Sequence, residues 1–184
     1  SVAGSTVHIT NADTGYNETR ETDNFGRLML VGLSESTQKY VITLTKSSYE
    51  TVTTLPPYPI TRYNPTDTHA SVIKSAVNTI DIIQNKTANF SIKTKDYLGQ
   101  DVANINFYLK GGRIMGTTEP AELGDPTYPV YNIDSHTQTN GEGEKDFGVV
   151  SPGQYEFTFE ESGYTLIGMN RTPLFSLASE QTLE

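Results

Sequence analysis

Three histidines are the only side chains of this 184-residue chain that ordinarily titrate near neutral pH. Nucleophilic catalysis needs a hydroxyl or thiol beside a base that a third group orients. His8, His69 and His136 lie in separate parts of the chain, and no nucleophile elbow surrounds any of them. We therefore predict a protein that is not an enzyme, with no catalytic residue and no cofactor.

Acidic side chains gather at Glu142, Glu144 and Asp146. Oxygen-rich turns bind calcium when aspartates recur at the regular Asp-x-Asp-x-Asp-Gly spacing, which this run lacks. The chain has no cysteine, so it offers neither a thiolate ligand nor a disulfide. We predict a solvated hairpin at the acidic run and no metal site.

Tyrosines near prolines are the remaining chemical signal. Tyr58 and Tyr63 lie in one proline-bearing segment, and Tyr128 and Tyr131 lie in another. Sugar rings stack on aromatic faces, so these loops could bind a glycan or another protein. The alternative is that the rings fold back over the core. These four tyrosines are our candidate binding residues.

The charge of the chain argues against two classes of partner. The net charge is −9, the isoelectric point is about 4.8, and the 13 Lys and Arg residues are scattered. Such a surface repels nucleic-acid phosphates and anionic lipid headgroups. Apolar runs also stay far short of the roughly 20 residues that span a bilayer. We predict no nucleic-acid partner and no membrane insertion of this segment.

Hydrophobic periodicity indicates strands. The chain is rich in threonine and has eleven tyrosines, and its apolar residues alternate with polar ones instead of recurring at a helical period. The clearest alternation falls at Tyr40, Ile42 and Leu44 in one run and at Tyr155, Phe157 and Phe159 in another. An all-β fold follows.

An internal repeat divides the chain. A Thr-Asp or Thr-Asn turn, a glycine-containing segment, a tyrosine-initiated strand and a second tyrosine nine residues later recur in the same order. The tyrosine pairs are Tyr40 with Tyr49 and Tyr155 with Tyr164. We predict two tandem antiparallel β-sandwich modules, at 1–85 and 86–184.

The two copies differ in their insertions and their ends. Copy one extends through a proline-rich loop at 56–65, and copy two carries a glycine- and proline-rich loop at 111–136. Each copy also lacks one outer strand that the other has. We expect either that the parent protein continues on both sides or that a neighbouring chain supplies the missing strand by β-augmentation.

The motifs resemble those of carboxypeptidase-regulatory-like domains, which are transthyretin-like or prealbumin-like sandwiches. The likeness covers most of both copies, with Asn104 and Ser48 standing where the family has glycine. The matching residues are Val2-Ala3-Gly4, Thr22-Asp23 with Gly26, Gly32-Leu33, Pro152-Gly153 with Tyr155, and Gly163-Tyr164. The resemblance implies two seven-stranded, Ig-like modules that serve as spacers, stalks or binding appendages.

Related B-type repeats of Gram-positive adhesins and pilins often carry a Lys–Asn isopeptide bond assisted by a buried acid. Lys93 and Glu160 stand in comparable places here. Strand parity turns both away from the core, because Phe90 and Ile92 face the side opposite to Lys93, and Phe159 faces the side opposite to Glu160. We predict no isopeptide bond.

These observations favour a non-catalytic structural or adhesive segment of a secreted or cell-surface protein of bacterial type, such as a stalk, pilus or adhesin component. Its partners would be neighbouring domains or adjacent subunits. The alternative function is a carbohydrate- or protein-binding module that uses the long loops to hold a glycan or a host protein.

Overall fold

The computed structural model describes residues 2–161, 163–169 and 174–183. It contains twelve β-strands, and within those ranges there is no helix. The all-β prediction is therefore confirmed. By its internal contacts the chain divides into two compact units, Ser1–Gln84 with Met115–Val130 and Asn85–Ile114 with Tyr131–Glu184.

The first unit contains one five-stranded sheet. Its strand order is β2-β1-β3-β4, and β5 pairs with β3 beyond a shift in register. The strands are β1 (Thr6–Asn11), β2 (Tyr16–Glu21), β3 (Ser36–Thr45), β4 (Val52–Thr53) and β5 (Ala70–Val72).

The second unit contains two sheets, ordered β11-β10-β7-β8 and β12-β6-β9. All their described pairings are antiparallel except that of β12 with β6, which is parallel. The strands are β6 (Ala88–Lys93), β7 (Asn106–Thr117), β8 (Pro129–Gln138), β9 (Glu144–Val150), β10 (Gly153–Phe159), β11 (Leu174–Leu177) and β12 (Thr182–Leu183).

The same central strand pair occurs in both units. Strand β1 pairs with β3, and β7 pairs with β10, in equivalent registers that put apolar side chains opposite each other. The matched pairs are Val7 with Leu44 and Ile9 with Ile42 in the first unit, and Phe107 with Phe159 and Leu109 with Phe157 in the second. The two central pairs therefore share one pairing pattern.

A turn with the same hydrogen bonds recurs beside each central pair. The Thr22 hydroxyl oxygen accepts a hydrogen bond from the Ser5 N–H at 2.9 Å, and that of Thr139 accepts one from the Ile105 N–H at 3.0 Å. The next residue in each copy, an Asp or an Asn, accepts hydrogen bonds from the backbone N–H groups two and four residues later. Short polar side chains of this kind close tight turns.

A buried tyrosine anchors each central strand. The Tyr40 hydroxyl donates to the Ser34 carbonyl at 2.9 Å, and the Tyr155 hydroxyl donates to the Ser151 carbonyl at 2.6 Å. The two side chains are 2% and 0% exposed. A phenol in a core needs such a partner, because a buried hydroxyl left unpaired is costly.

The cores of the two units are covered differently. In the second unit, side chains from both sheets meet in one aromatic-rich core, a sandwich-like arrangement. In the first unit, the five-stranded sheet packs against Leu28, Leu30, Leu33 and Ile82, which lie in segments outside any strand. Within the described ranges, the segments that cover the first sheet form no ladder of their own.

The segment 111–136, which we expected to be a long loop, is mostly a hairpin. Strand β7 continues to Thr117 and β8 begins at Pro129. In the sequence, the glycines at 111 and 112 indicate a turn. In the structure they lie within a strand and allow the Tyr155 side chain to pack against the backbone. A Cβ on Gly111 would lie 2.6 Å from a ring carbon of Tyr155, so only glycine fits beside that buried ring.

We expect Thr139→Val to destabilise the second unit by about 1–3 kcal/mol, because it leaves the buried Ile105 N–H without an acceptor. Urea denaturation would measure this loss. Thr158→Val is the matched control, since Thr158 is exposed on β10. Equal midpoints for the two variants would contradict the assigned role of the Thr139 hydroxyl.

Candidate functional site

Two of the four candidate tyrosines come together in the first unit. The Tyr58 and Tyr63 rings meet edge to face, with centroids 5.1 Å apart and an interplanar angle of 79°. The Tyr58 hydroxyl donates to the Glu119 carboxylate. The Tyr63 carbonyl accepts a hydrogen bond from the Thr117 N–H at 2.9 Å. We call Tyr58, Tyr63, Thr117 and Glu119 the tyrosine cluster.

The tyrosine cluster joins the two segments that the sequence marked as insertions. Its tyrosines belong to the proline-rich segment 56–65, and Thr117 and Glu119 belong to the far end of the β7–β8 hairpin, which is grouped with the first unit. Sequence reasoning named both segments but did not predict that they meet. That meeting brings an acidic group to the aromatic rings.

Gly116 allows the two segments to approach. Its φ is +142°, and a Cβ there would lie 2.9 Å from the Arg62 Cγ and 3.0 Å from the Tyr63 carbonyl oxygen. Both the backbone conformation and the space therefore require glycine. The aliphatic part of the Arg62 side chain packs over the bare glycine backbone.

The rings of the other two candidate tyrosines do not join the Tyr58–Tyr63 pair. The Tyr128 N–H donates to the Thr118 hydroxyl at 3.0 Å, and its ring is 61% exposed. Tyr131 lies within β8 and belongs to the second unit. In the described part of the chain, neither ring contacts another aromatic ring. The four residues therefore do not form one aromatic platform.

The chemistry of the tyrosine cluster suits a polar ligand. Tyr58 and Tyr63 are 40% and 37% exposed, so parts of both rings face solvent. The hydrogen bond to Glu119, followed by burial, raises the pKa of the Tyr58 phenol above its usual value of 10.0. The phenol therefore stays protonated at neutral pH, and the Glu119 carboxylate keeps lone pairs that can accept hydrogen bonds from a ligand hydroxyl.

The two residues considered for an isopeptide bond both lie at the surface. The Lys93 ammonium contacts Glu144 at 2.7 Å and Asp101 at 3.3 Å. Its pKa is raised, chiefly by the hydrogen bond to Glu144. The Glu160 carboxylate contacts His136 Nδ1 at 2.9 Å. The outward orientation inferred from strand parity is the one that the structure has.

The outer face of the β11-β10-β7-β8 sheet carries a polar network that sequence reasoning missed. The Tyr108 ring stacks on His136 with centroids 4.6 Å apart, and its hydroxyl donates to Asp134 at 2.7 Å. His136 in turn contacts Glu160. Alternation in β7 and β8 was the available signal, because it places these polar residues on one face.

The Asp134 hydrogen bond, together with burial, raises the pKa of Tyr108 to about 12. A raised pKa means that the folded protein holds the phenolic proton more tightly than the unfolded chain does. The contribution of this group to the free energy of unfolding is fully present below pH 10. It is lost as the pH rises from 10 through about 12.

The histidines form no common site. The structure pairs His8 with Asn17 at 2.9 Å, His69 with Thr54 at 3.0 Å and His136 with Glu160. Burial lowers the pKa of His69, which favours its neutral form. Among the described residues, no three histidine, aspartate or glutamate side chains are placed to hold a metal ion.

No protein-family model, curated protein or solved structure matches this chain. In the ranges that the structure describes, no helix is long and apolar enough to span a membrane.

We expect Asp134→Asn to lower the pKa of Tyr108 from about 12 toward the ordinary value of 10. The reason is that the uncharged Asn side chain lacks the negative charge with which Asp134 disfavours the phenolate form of Tyr108. NMR titration of the tyrosine Cζ carbon would follow this group. Asp81→Asn, in the first unit, is the control and should leave the Tyr108 midpoint unchanged; a shift in both variants would rule out the specific hydrogen bond as the cause.

Proposed function

We propose that this chain is a non-catalytic structural or adhesive segment of a secreted or cell-surface protein. In this proposal each unit is a β-sandwich module of the carboxypeptidase-regulatory-like type, and the two are arranged in tandem. The repeated register of the central strand pairs is the observation that carries the proposal. Proteins that project other domains are commonly built from repeated all-β modules.

The detail of the repeat supports this assignment. The threonine turn, the buried tyrosine and the strand register recur together, although few residues are identical between the copies. These contacts serve the fold and not chemistry at a site. The positive φ of Asn104, at +58°, matches that of Gly4, at +61°, so the departure from the glycine motif keeps the same backbone conformation.

The surface supports a role outside catalysis. The ionisable side chains of the outer face are engaged with one another: Tyr108 with Asp134, and His136 with Glu160. Lys110 and Glu156 form a further ion pair at 3.0 Å on neighbouring strands. Such cross-strand contacts stabilise a sheet, each by a few tenths of a kcal/mol to about 1 kcal/mol.

Surface labelling of the source cells tests the structural proposal. An antibody raised against residues 1–184 should label intact cells, and protease added outside the cells should remove the label. Labelling that appears only after the cells are permeabilised would place the protein inside and overturn the proposal. A cytoplasmic protein of the same cells, probed in parallel, shows that the cells are intact.

The tyrosine cluster favours a second function, as a carbohydrate- or protein-binding module. Tyr58 and Tyr63 offer exposed ring surface beside the Glu119 carboxylate. Aromatic faces with adjacent hydrogen-bond acceptors are suited to sugar hydroxyls and C–H groups. In this alternative a glycan or a host protein binds at the junction of the two inserted segments.

A glycan array separates the two functions. If the cluster binds a sugar, Tyr58→Ala and Tyr63→Ala should each weaken binding by roughly tenfold, as expected when one stacked ring is removed. Tyr97→Ala is the matched control, because Tyr97 is an exposed tyrosine of the second unit at 80%. Equal binding by all three variants would exclude the tyrosine cluster as the site.

A further inference from the structure

The segment 55–68, which carries both rings of the tyrosine cluster, is closed at its two ends by backbone contacts. Leu55 and Thr68 form a parallel bridge. The Leu55 N–H donates to the Asp67 carbonyl at 2.6 Å, and the His69 N–H donates to the Leu55 carbonyl at 2.8 Å. We call these four residues the neck of the segment. Strand β4 ends shortly before the neck and β5 begins directly after it.

The Thr54 hydroxyl connects the neck to the central strand β3. Its oxygen accepts a hydrogen bond from the Ile42 N–H at 3.0 Å and lies 3.0 Å from His69 Nδ1. Thr54 is 2% exposed, so solvent does not take up its hydroxyl proton. In the described part of the chain the hydroxyl makes no other hydrogen bond, so its proton must point to Nδ1. We therefore assign His69 as neutral, with its own proton on Nε2.

Protonation of His69 is incompatible with this arrangement. An imidazolium carries an N–H at both ring nitrogens, so Nδ1 would no longer accept the Thr54 proton. The hydroxyl proton would then face another donor or remain buried without a partner, and either state is costly. The Thr54–His69 hydrogen bond can therefore form only while His69 is neutral.

The surroundings of His69 also disfavour its charged form. Burial, followed by the positive charge of Lys39 on β3, lowers the pKa of His69 below its usual value of 6.5. Asp13 lies 3.9 Å from the Lys39 ammonium, and both groups are exposed. The acidic residue closest in sequence, Asp67, contributes its backbone carbonyl to the neck. Geometry and charge thus act in the same direction.

We propose that His69 is a pH-sensitive latch, whose protonation breaks the hydrogen bond to Thr54 and loosens the neck, so that the tyrosine cluster opens in mild acid. The inference goes beyond the proposed functions by assigning a control to this cluster. Its consequence for binding rests on the second of them, because a loosened cluster would release its ligand. The latch itself needs no ligand, so it can fail or hold separately from binding.

The working range follows from the direction of the pKa shift. A histidine whose pKa is lower in the closed segment than in the open one takes up a proton preferentially when the segment is open. The closed state is therefore most stable above pH 6.5 and loses stability as the pH falls below that value. Measurements should stop near pH 5, where glutamate side chains ordinarily remain ionised, because Glu119 accepts the Tyr58 hydroxyl proton.

The tautomer of His69 is the first test. Long-range proton–nitrogen NMR spectra of the full chain, recorded near pH 7.5, should show a protonated Nε2 and an unprotonated Nδ1. A proton on Nδ1 would overturn the proposal, because the Thr54 hydroxyl would then not be the donor.

Hydrogen exchange tests the neck directly. Between about pH 7.5 and about pH 5, the protection factors of the Leu55 and His69 amides should fall roughly fivefold or more, as expected when a buried hydroxyl loses its acceptor. Protection factors already correct for the intrinsic effect of pH on exchange. Amides of the β1–β3 pair serve as the internal reference and should change little. Equal protection of the neck at both pH values would contradict the latch.

His69→Asn identifies the titrating group. The Asn side-chain oxygen can accept the Thr54 proton near the position of Nδ1, but it does not titrate, so the protection of the neck should become independent of pH. His8→Asn is the matched control, because His8 is exposed on β1 and hydrogen-bonded to Asn17. It should keep the pH dependence of the unaltered chain. A pH dependence that persists in His69→Asn would overturn the proposal.

The ring protons of Tyr63 report whether the latch reaches the tyrosine cluster. Their NMR signals should shift with the same midpoint as His69 in the unaltered chain and should stay constant in His69→Asn. Glu119→Gln removes the titration of the neighbouring carboxylate and should leave that midpoint unchanged. Ring signals that do not move while His69 titrates would confine the effect to the neck and overturn the proposed control of the cluster.

Discussion

One antiparallel strand pair underlies each unit. The β1–β3 and β7–β10 pairs set apolar side chains opposite each other, and every other strand of their sheets is added to one side or the other. A shift of one residue would turn the whole apolar set to solvent, so the register must be held at its ends. The threonine turn and the tyrosine hydroxyl bond hold it, and both involve buried groups for which an unpaired state is costly. This requirement explains why these contacts recur where most side chains differ.

The two units complete their cores by different means. In the second, a three-stranded sheet built around β6 lies on the aromatic side chains of the central pair. In the first, leucines from an unpaired segment cover the sheet, and their neighbours Met29 and Val31 remain exposed. Both layers bury apolar side chains, but among the residues that the structure describes, strand pairing within the covering layer occurs in the second unit.

The surface features have separate origins. On the outer face of the second unit, ring stacking and cross-strand hydrogen bonds link Tyr108, Asp134 and His136 in a network that follows from strand alternation. The tyrosine cluster of the first unit depends on a meeting of distant segments, which Gly116 permits by having no side chain. The first feature supports the sheet, and the second creates a surface whose shape and acidity a ligand could use.

Sequence alone determined the all-β class and the outward orientation of Lys93 and Glu160, because strand alternation is a local property of the chain. It misjudged Gly111, whose role is to make room for the Tyr155 ring, since a glycine looks the same in a turn and at a close contact. It named Tyr58, Tyr63, Tyr128 and Tyr131 together, and only the tertiary structure showed which of them meet. Contacts such as Tyr58 with Glu119 join residues far apart in the chain, and no local pattern encodes them. The pairing of β9 with β6 was likewise decided by the fold, because a strand forms a ladder only when a neighbouring strand lies beside it.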